Sequence, residues 1–485
     1  MKKAILAILA LLLLTGSFCS CSDPKKKGET NSGQSNTGTG GNEASREGLD
    51  PKYVAELPDI NFEGREITIV KSDFAWSPSN LDPESEIGEL VNDAAYQRNR
   101  NIEERYGLEI NVVTMNNAET VLPIEIAAGN TQYNAAFLRM DSVIGGIEQN
   151  AYADLFAVPN INMDKHYWDQ SAKEQFTIGH KLYFMISDIT IQDKLLTSAM
   201  LYNKKLIADY SLGDLYKLVF DGKWTIDVFN GMIKGLSKSL DGSAFNEKDF
   251  YGHATQNENY YTFFYGAGER FIGKDDNDMP YMLPLSPNMD TVASKINEIF
   301  NMNDSTLNWH RYLEHGGVHV NAFREDRAVF FTGGIAGYVA LRDMESDFGV
   351  LPMPKFNEAQ EYYITDVNPI SPAVLIPSNL SEDDLFFTGL VLEAMAAESR
   401  RLLIPAFFEQ TLDIKYARDD ETSQVLDMVF AHRAFDLMYI YNFGNFSGTF
   451  FQGLVTGNLN VASFYEKNFD KTESMLNKFI AAFEQ

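Results

Sequence analysis

Cysteine is nearly absent from this chain of 485 residues: there are two, Cys19 and Cys21. Beyond residue 21, neither a disulfide nor a thiol can contribute to stability or chemistry. Histidine is scarce as well, with seven in all, His166, His180, His253, His310, His315, His319 and His432. None falls in an HExxH pattern, and the pair in HGGVH, His315 and His319, reads as loop, so no metal is expected there. GxSxG, the Walker loop and the dinucleotide fingerprint are missing too; TGGIAGYVA at 332–340 has glycines without the required spacing. Positive charge is in deficit, 40 Lys and Arg against 68 Asp and Glu, a formal charge of −28. Such a balance argues against nucleic acid and against attraction of acidic ligands, and is compatible with a neutral ligand or a cation. Among so many acids a pair of hydrolytic carboxylates is always possible, but no pair stands out.

What is present begins with MKKAILAILALLLL, a basic start and an apolar run too short for a membrane span, as in an export signal. Its end resembles the lipobox of bacterial lipoproteins, in which a small residue precedes a cysteine that is diacylated and becomes the new N-terminus. Cys21 after Ser20 fits that role better than Cys19 after Phe18; an ordinary cleaved signal is the alternative. The expectation is a signal peptide over 1–20, then a polar, flexible linker over 21–55 whose composition cannot offset the entropy of folding. Lys25 to Lys27 lie beside the anchor, near anionic headgroups or simply in solvent.

The remaining stretch of about 430 residues exceeds what one core usually organises, so two lobes are expected. REITIVKS alternates like a strand, and NDAAYQRNRNIEERYG reads as a helix closed by Gly107, followed by a second strand. VLPIEIAAGNTQYNAAFLRMDSVIGGIEQNAYADL repeats the alternation as helix, strand, helix. YFMISDITI and SAMLYNKKLIADY read as a strand pair and a helix, and KWTIDVF opens a helix at a Thr225 cap. AVFFTGGIAGYVALRDM reads as strand and turn, and three helices close the chain, one of them over SQVLDMVFAHRAFDLMY. Strands alternating with helices imply mostly parallel sheets covered on both faces.

Four blocks, NDAAYQRNRNIEERYG, LYNKKLIADYSLGDLYKLVFDGKWTIDVF, DFGVLPMPKFNEAQEYY and the long run from LEAMAAESRR to YIYNFG, resemble the family 1 extracellular solute-binding proteins. These are lipoproteins that feed ABC importers, and the likeness, closest to a clostridial branch, covers roughly 56–455. It implies an α/β fold of the two-lobed periplasmic-binding type II, with parallel-type sheets, helices on both faces and a ligand cleft between the lobes. Lobe one would be 56–180 plus 366–415, and lobe two 181–365 plus 416–485, with hinges near KLYFMISD and YYITDVNP. The implied role is capture of a carbohydrate for an ABC permease, by a monomer held to the outer face of the bacterial cytoplasmic membrane, without catalysis or cofactor. Peptide, polyamine or modified sugar remain alternative solutes, and a secreted glycoside hydrolase or a structural surface lipoprotein the alternative classes.

Aromatic rings cover sugar faces and polar side chains bond their hydroxyls. On that chemistry Trp76, beside Phe74 in the loop after the first strand, and Asp141, at the end of NAAFLRMD, are candidates from lobe one. Tyr338 stands near the position where sugar-binding relatives place a cleft aromatic, often Trp. Asp366 and Asn368 after YYIT, and Tyr441 and Asn442 in YIYNFGNF, complete the set. Trp224 reads as a staple onto its own helix. Many relatives in this branch carry a calcium-type loop where this chain has SLDGSAFNEKDFYG; Asp241, Asn246, Glu247 and Asp249 lack the regular ligand spacing, so no metal is expected. GKDDNDMP reads as a solvated turn, and Arg418, Asp419 and Asp420 as a salt-bridged surface or a docking face.

Overall fold

REITIVKS alternates because one of its faces is buried and the other is wet. In the computed structural model it forms strand β1, Arg65–Ser72, with Ile67, Ile69 and Val70 in the core. The structure describes residues 53–302, 304–412 and 420–483, without the side chains of 411, 412 and 420. The signal peptide, Cys21, the linker as far as residue 52, and Arg418 and Asp419 lie outside this range, as does the side chain of Asp420.

The helix Leu90–Tyr106 stops where its sequence requires. Gly107 adopts left-handed backbone at φ 57°, and its N–H donates to the Glu103 carbonyl. The chain turns directly into β2, Leu108–Met115, which pairs in parallel with the whole of β1. Strand β3, Ala135–Arg139, lies parallel to β1 on its other side. The sheet is completed from far along the sequence by β13, Pro372–Leu375, antiparallel to β3. Helices Glu382–Arg401 and Leu403–Leu412 pack on helix Leu90–Tyr106 beside this sheet.

The second sheet has the order β11-β4-β10-β6-β5, with β9 beside β6. Its strands are β4 (Ser198–Asn203), β5 (Ser237–Lys238), β6 (Phe250–Thr255), β9 (Thr306–Asn308), β10 (Ala328–Gly334) and β11 (Phe348–Leu351). Strands β6, β9 and β10 are mutually parallel, whereas β4 is antiparallel to both β10 and β11. Both sheets are therefore mixed rather than parallel. Three strands run against their parallel neighbours: β13 and β4, which each follow a passage between the sheets, and β5, which lies antiparallel to β6. Helices Phe446–Val455 and Val461–Ile480 pack on this second body, against helix Asn259–Gly266 and the hairpin of β7 (Ile272–Lys274) and β8 (Pro280–Met282).

Local signals held well here. The Thr225 hydroxyl caps helix Ile226–Ile233 by accepting from the Val228 N–H. Trp224, fully buried, sets its ring edge-on to Phe229 at 5.9 Å inside that helix, which is the stapling geometry. Three readings need correction. YFMISDITI makes only single bridges, Trp168 with Ser187 and Met185 with Val374, so it runs along the edge of the first sheet without forming a strand pair. After β10 the chain forms helix Ile335–Ala340 and not a simple turn. The helix read over SQVLDMVFAHRAFDLMY ends at Ala431 and gives way to β14, Arg433–Ala434, before a short helix Leu437–Tyr441 capped by Asp436.

That interruption has an electrostatic cause. β14 pairs in parallel with β12, Thr365–Asp366, in the stretch where the chain returns from the second sheet to the first. Arg433 bonds Asp169 on the first body and Asp193 on the outgoing passage, the latter at 2.7 Å. Lys194 reaches Asp193 and Asp188 at 3.1 Å each, and Arg400 approaches Asp188 at 3.5 Å. Three acids thus meet three bases at the waist, with Asp193 at 0% and Arg433 at 7% exposure. Burial pushes the Asp188 carboxyl up, and Lys194 and Arg400 oppose it. Taking so many charges out of water costs several kcal/mol per ion unless every partner is in place. Replacing Arg433 by Met should therefore lower stability by about 3–5 kcal/mol, read from urea unfolding, because Asp169 and Asp193 lose their shared cation.

Candidate functional site

Strand ends supply the first wall. Where β1 and β3 finish, the Ser72 hydroxyl donates to Glu119 at 2.5 Å and the Arg139 backbone N–H approaches the same oxygen at 3.3 Å. The Arg139 guanidinium forks onto Asp141, with Nε at 3.0 Å and Nη2 at 2.6 Å, and the Ser142 hydroxyl adds a third bond. This pairing holds the arginine pKa up and the carboxylate in one orientation. Arg139 also lies 5.7 Å from the centroid of Phe74, and Trp76 follows, partly exposed, in the loop after β1. The Asp141 N–H donates to the Pro369 carbonyl, tying this wall to the returning chain.

The facing wall is built from tyrosines. Tyr261 on helix Asn259–Gly266 is sandwiched, with Phe451 at 3.7 Å on one side and Tyr439 at 4.0 Å, nearly coplanar at 21°, on the other. Tyr265, one helical turn on, approaches Tyr439 at 5.7 Å. Tyr439 ends the stack and is partly exposed. Its short helix, Leu437–Tyr441, packs on the Met140–Ser142 turn of the first wall. Asp366, Glu258 and Asp141 all lie close enough to raise the Tyr439 pKa, after burial itself. Acids on several elements therefore disfavour ionisation of this one hydroxyl.

Between the walls lies Asp366, on the waist ribbon β12. It is 2% exposed and accepts from the Ser198 and Thr262 hydroxyls, while its Oδ1 has no hydrogen-bond partner among the described residues. Burial pushes its pKa up to about 6, with the two hydroxyls and Arg270 working against the shift.

Of the residues singled out from sequence, Asp141 pairs with Arg139 at the end of β3, Asp366 is buried on β12, and Trp76 lies partly exposed in the loop after β1. Asn368 shapes the return: its N–H donates to Leu196, and its side chain accepts from the Ile370 N–H at 3.1 Å. Tyr338 lies elsewhere. It is 1% exposed, its ring edge-on to Phe348 at 5.0 Å, because Gly334 starts a helix that turns the ring into the second body's core. Tyr441 is likewise packed inside, against Phe184, Phe443 and Phe479. Asn442 closes its helix in left-handed backbone, and its side chain accepts from Ser447 and Gly448. Sequence reasoning missed Tyr261 and Tyr439, which nothing distinguishes in a chain with 23 tyrosines; only the second sits near a segment that was singled out.

The acidic loops bond to themselves. Asp249 accepts from the N–H groups of Leu240 and Asn246, Asp241 from Ser243, and Asp275 in GKDDNDMP from Asn277 and Met279. His315 pairs with Glu247 at 3.0 Å, and His319 stacks on Trp309. Among the described residues no group of three or more His, Cys, Asp or Glu is placed to hold a metal, and no helix is long and apolar enough to cross a membrane.

No family model and no curated protein matches this chain. Solved structures do. An ABC substrate-binding protein from Listeria monocytogenes, in complex with cycloalternan, is 14% identical at a TM-score of 0.55, covering 86% of this chain and 99% of its own. A solute-binding protein from Thermotoga lettingae bound with α-D-tagatose is 16% identical at a TM-score of 0.52, covering 85% and 100%. A maltose/maltodextrin-binding domain from Bdellovibrio bacteriovorus bound to maltotriose is 12% identical at 0.51, covering 87% and 99%. At these identities the likeness establishes the fold, the two-lobed type II periplasmic-binding architecture, with mixed sheets and helices on both faces.

Two variants test the placements. Above pH 6 the folded protein holds Asp366 charged in a buried site, whereas below the ordinary carboxylate range folded and unfolded chains are both protonated. Asp366→Asn should therefore stabilise the unliganded protein by up to about 3 kcal/mol at pH 7.5. The gain should fade as the pH drops from 6 to 4, followed by urea melts across that range. Tyr338→Ala should lower stability by about 3–5 kcal/mol in the same assay, as expected for a ring removed from a packed core.

Proposed function

We propose that this chain is an extracellular solute-binding protein that captures a carbohydrate between its lobes and delivers it to an ABC permease. The observation that carries the reading is the junction itself, where a partly exposed tyrosine ends an aromatic stack on a helix that packs against the Met140–Ser142 turn with its oriented Arg139–Asp141 pair. A ring offers the apolar face that a sugar's CH surface needs, and oriented carboxylates and an Arg–Asp pair offer acceptors and donors for its hydroxyls. Proteins of similar fold bound to tagatose and maltotriose support sugar as the solute class.

The mode of action is binding followed by closure, with no bond made or broken. A lipid on Cys21 and the linker 21–55 would hold a monomeric body at the outer face of the cytoplasmic membrane. The lobe division inferred from sequence belongs to the same reading, with its first boundary moved towards residue 188, because Met185 still bonds Val374 of the first sheet. Trp76 and Asp141 would contact the solute from lobe one, and Tyr439 from lobe two, in the part first given to Tyr338. Asp366 would form the floor, with Asn368 fixing the turn beside it.

A thermal-shift panel of mono- and oligosaccharides, followed by calorimetric titration of those that bind, tests the reading. A sugar should raise the melting temperature by mass action. Tyr439→Ala should weaken that sugar by about 5- to 150-fold, the loss of one stacked ring at about 1–3 kcal/mol, while Tyr441→Phe should leave affinity unchanged. If peptides shift the transition and no sugar does, the carbohydrate reading is wrong although the binding fold stands.

A further inference from the structure

Charge around the tyrosine stack does not balance. Asp141 is answered by Arg139. Arg270 is the cation that acts on Asp366, but it is shared with Asp436 and Glu269, and its hydrogen bonds go to the Tyr265 and Glu269 carbonyls. Glu258, exposed at the start of the helix that carries Tyr261, has His310 at 3.5 Å as its ion-pair partner among the described residues. Asp366, Asp436 and Glu269 thus share one cation, and Glu258 adds a further negative charge.

Among the described residues, two buried polar atoms at this place lack hydrogen-bond partners. One is Oδ1 of Asp366, and the other is the hydroxyl of Tyr265. Both belong to residues nine-tenths or more buried, and both lie at helix Asn259–Gly266: Tyr265 is on it, with its ring 5.7 Å from that of Tyr439, and Asp366 is on β12, which packs against it. A buried acceptor without a donor is costly, and a solute that supplies the donor recovers that cost on binding. A sugar hydroxyl would satisfy the oxygen but leave the excess negative charge. An ammonium group would answer both, and the face of a tyrosine ring adds attraction for a cation where water is excluded.

We propose that the solute carries a protonated amino group that donates to Asp366 and lies against the ring of Tyr439, so that the ligand is an amine-bearing carbohydrate. This rests on the carbohydrate reading above and narrows it. Acidic sugars and sugar phosphates are the class it rejects, because each would bring a second negative charge to Asp366, Glu258 and Asp436.

The test is calorimetric titration of the purified protein with matched sugars: glucosamine, galactosamine and mannosamine against glucose, galactose and mannose, and chitosan disaccharide against its N,N′-diacetyl form. The expected result is at least one amine that binds about tenfold or more tightly than its neutral counterpart. Asp366→Asn should erase that difference while melting no lower than the parent protein, which separates loss of the charge from loss of the fold. Neutral sugars binding as tightly as their amines would overturn the amine while leaving the carbohydrate reading intact. Spermidine binding in the absence of any sugar binding would overturn both. No binding by any of the amines would also overturn the proposal.

Discussion

Arg433 must find Asp169 and Asp193 together, or the waist of this molecule has two buried acids, a half-buried third, and too few cations. The residue sits in a strand of two residues, too short to be stable alone, which exists by virtue of its pairing with β12 and of that charge. Thr365 and Asp366 lie opposite Arg433 and Ala434 in register, so the ribbon that anchors the ion network also carries Asp366, the acid proposed as the floor of the site. Hinge and floor are thus neighbours along one backbone. A shift of the ribbon that loosened the ion pairs would also move Asp366 relative to the tyrosines.

That coupling explains the division of labour between the walls. The first wall is set by strand ends and by a fork of arginine on aspartate, both rigid, and its contacts with the Pro369 carbonyl keep it in step with the returning chain. The second wall rests on packed rings, Phe451 behind Tyr261 behind Tyr439, which hold the last ring in place through dispersion and burial without spending its outer atoms on hydrogen bonds. In the proposed role, a solute that touched both walls would hold the lobes at one angle.

Much of the fold was legible because its determinants are local. Gly107 ends its helix for want of a Cβ, and Thr225 with Trp224 starts another by a cap and a staple written in adjacent residues. The sheets read as mostly parallel, and the antiparallel β13 and β4 were not legible, because strand direction after a passage depends on where the chain re-enters, which no window of sequence records. Arg433 was hidden within an apparent helix, since the pull of Asp169 and Asp193 comes from more than two hundred residues away. Tyr338 looked like a site residue by position, yet the helix begun at Gly334 turns its ring towards Phe348. Asp366 was singled out from its place after YYIT and lies buried on β12, whereas Tyr261 and Tyr439 stand out only once helices distant in sequence stack them.

The central claim is that a solute held between the two walls closes the lobes about the charged waist. Small-angle scattering of the protein, free and saturated with a solute that binds in titration, measures this directly. The account predicts a smaller radius of gyration in the saturated protein. An unchanged radius at proven saturation would contradict it, because the solute would then be held without bringing the walls together.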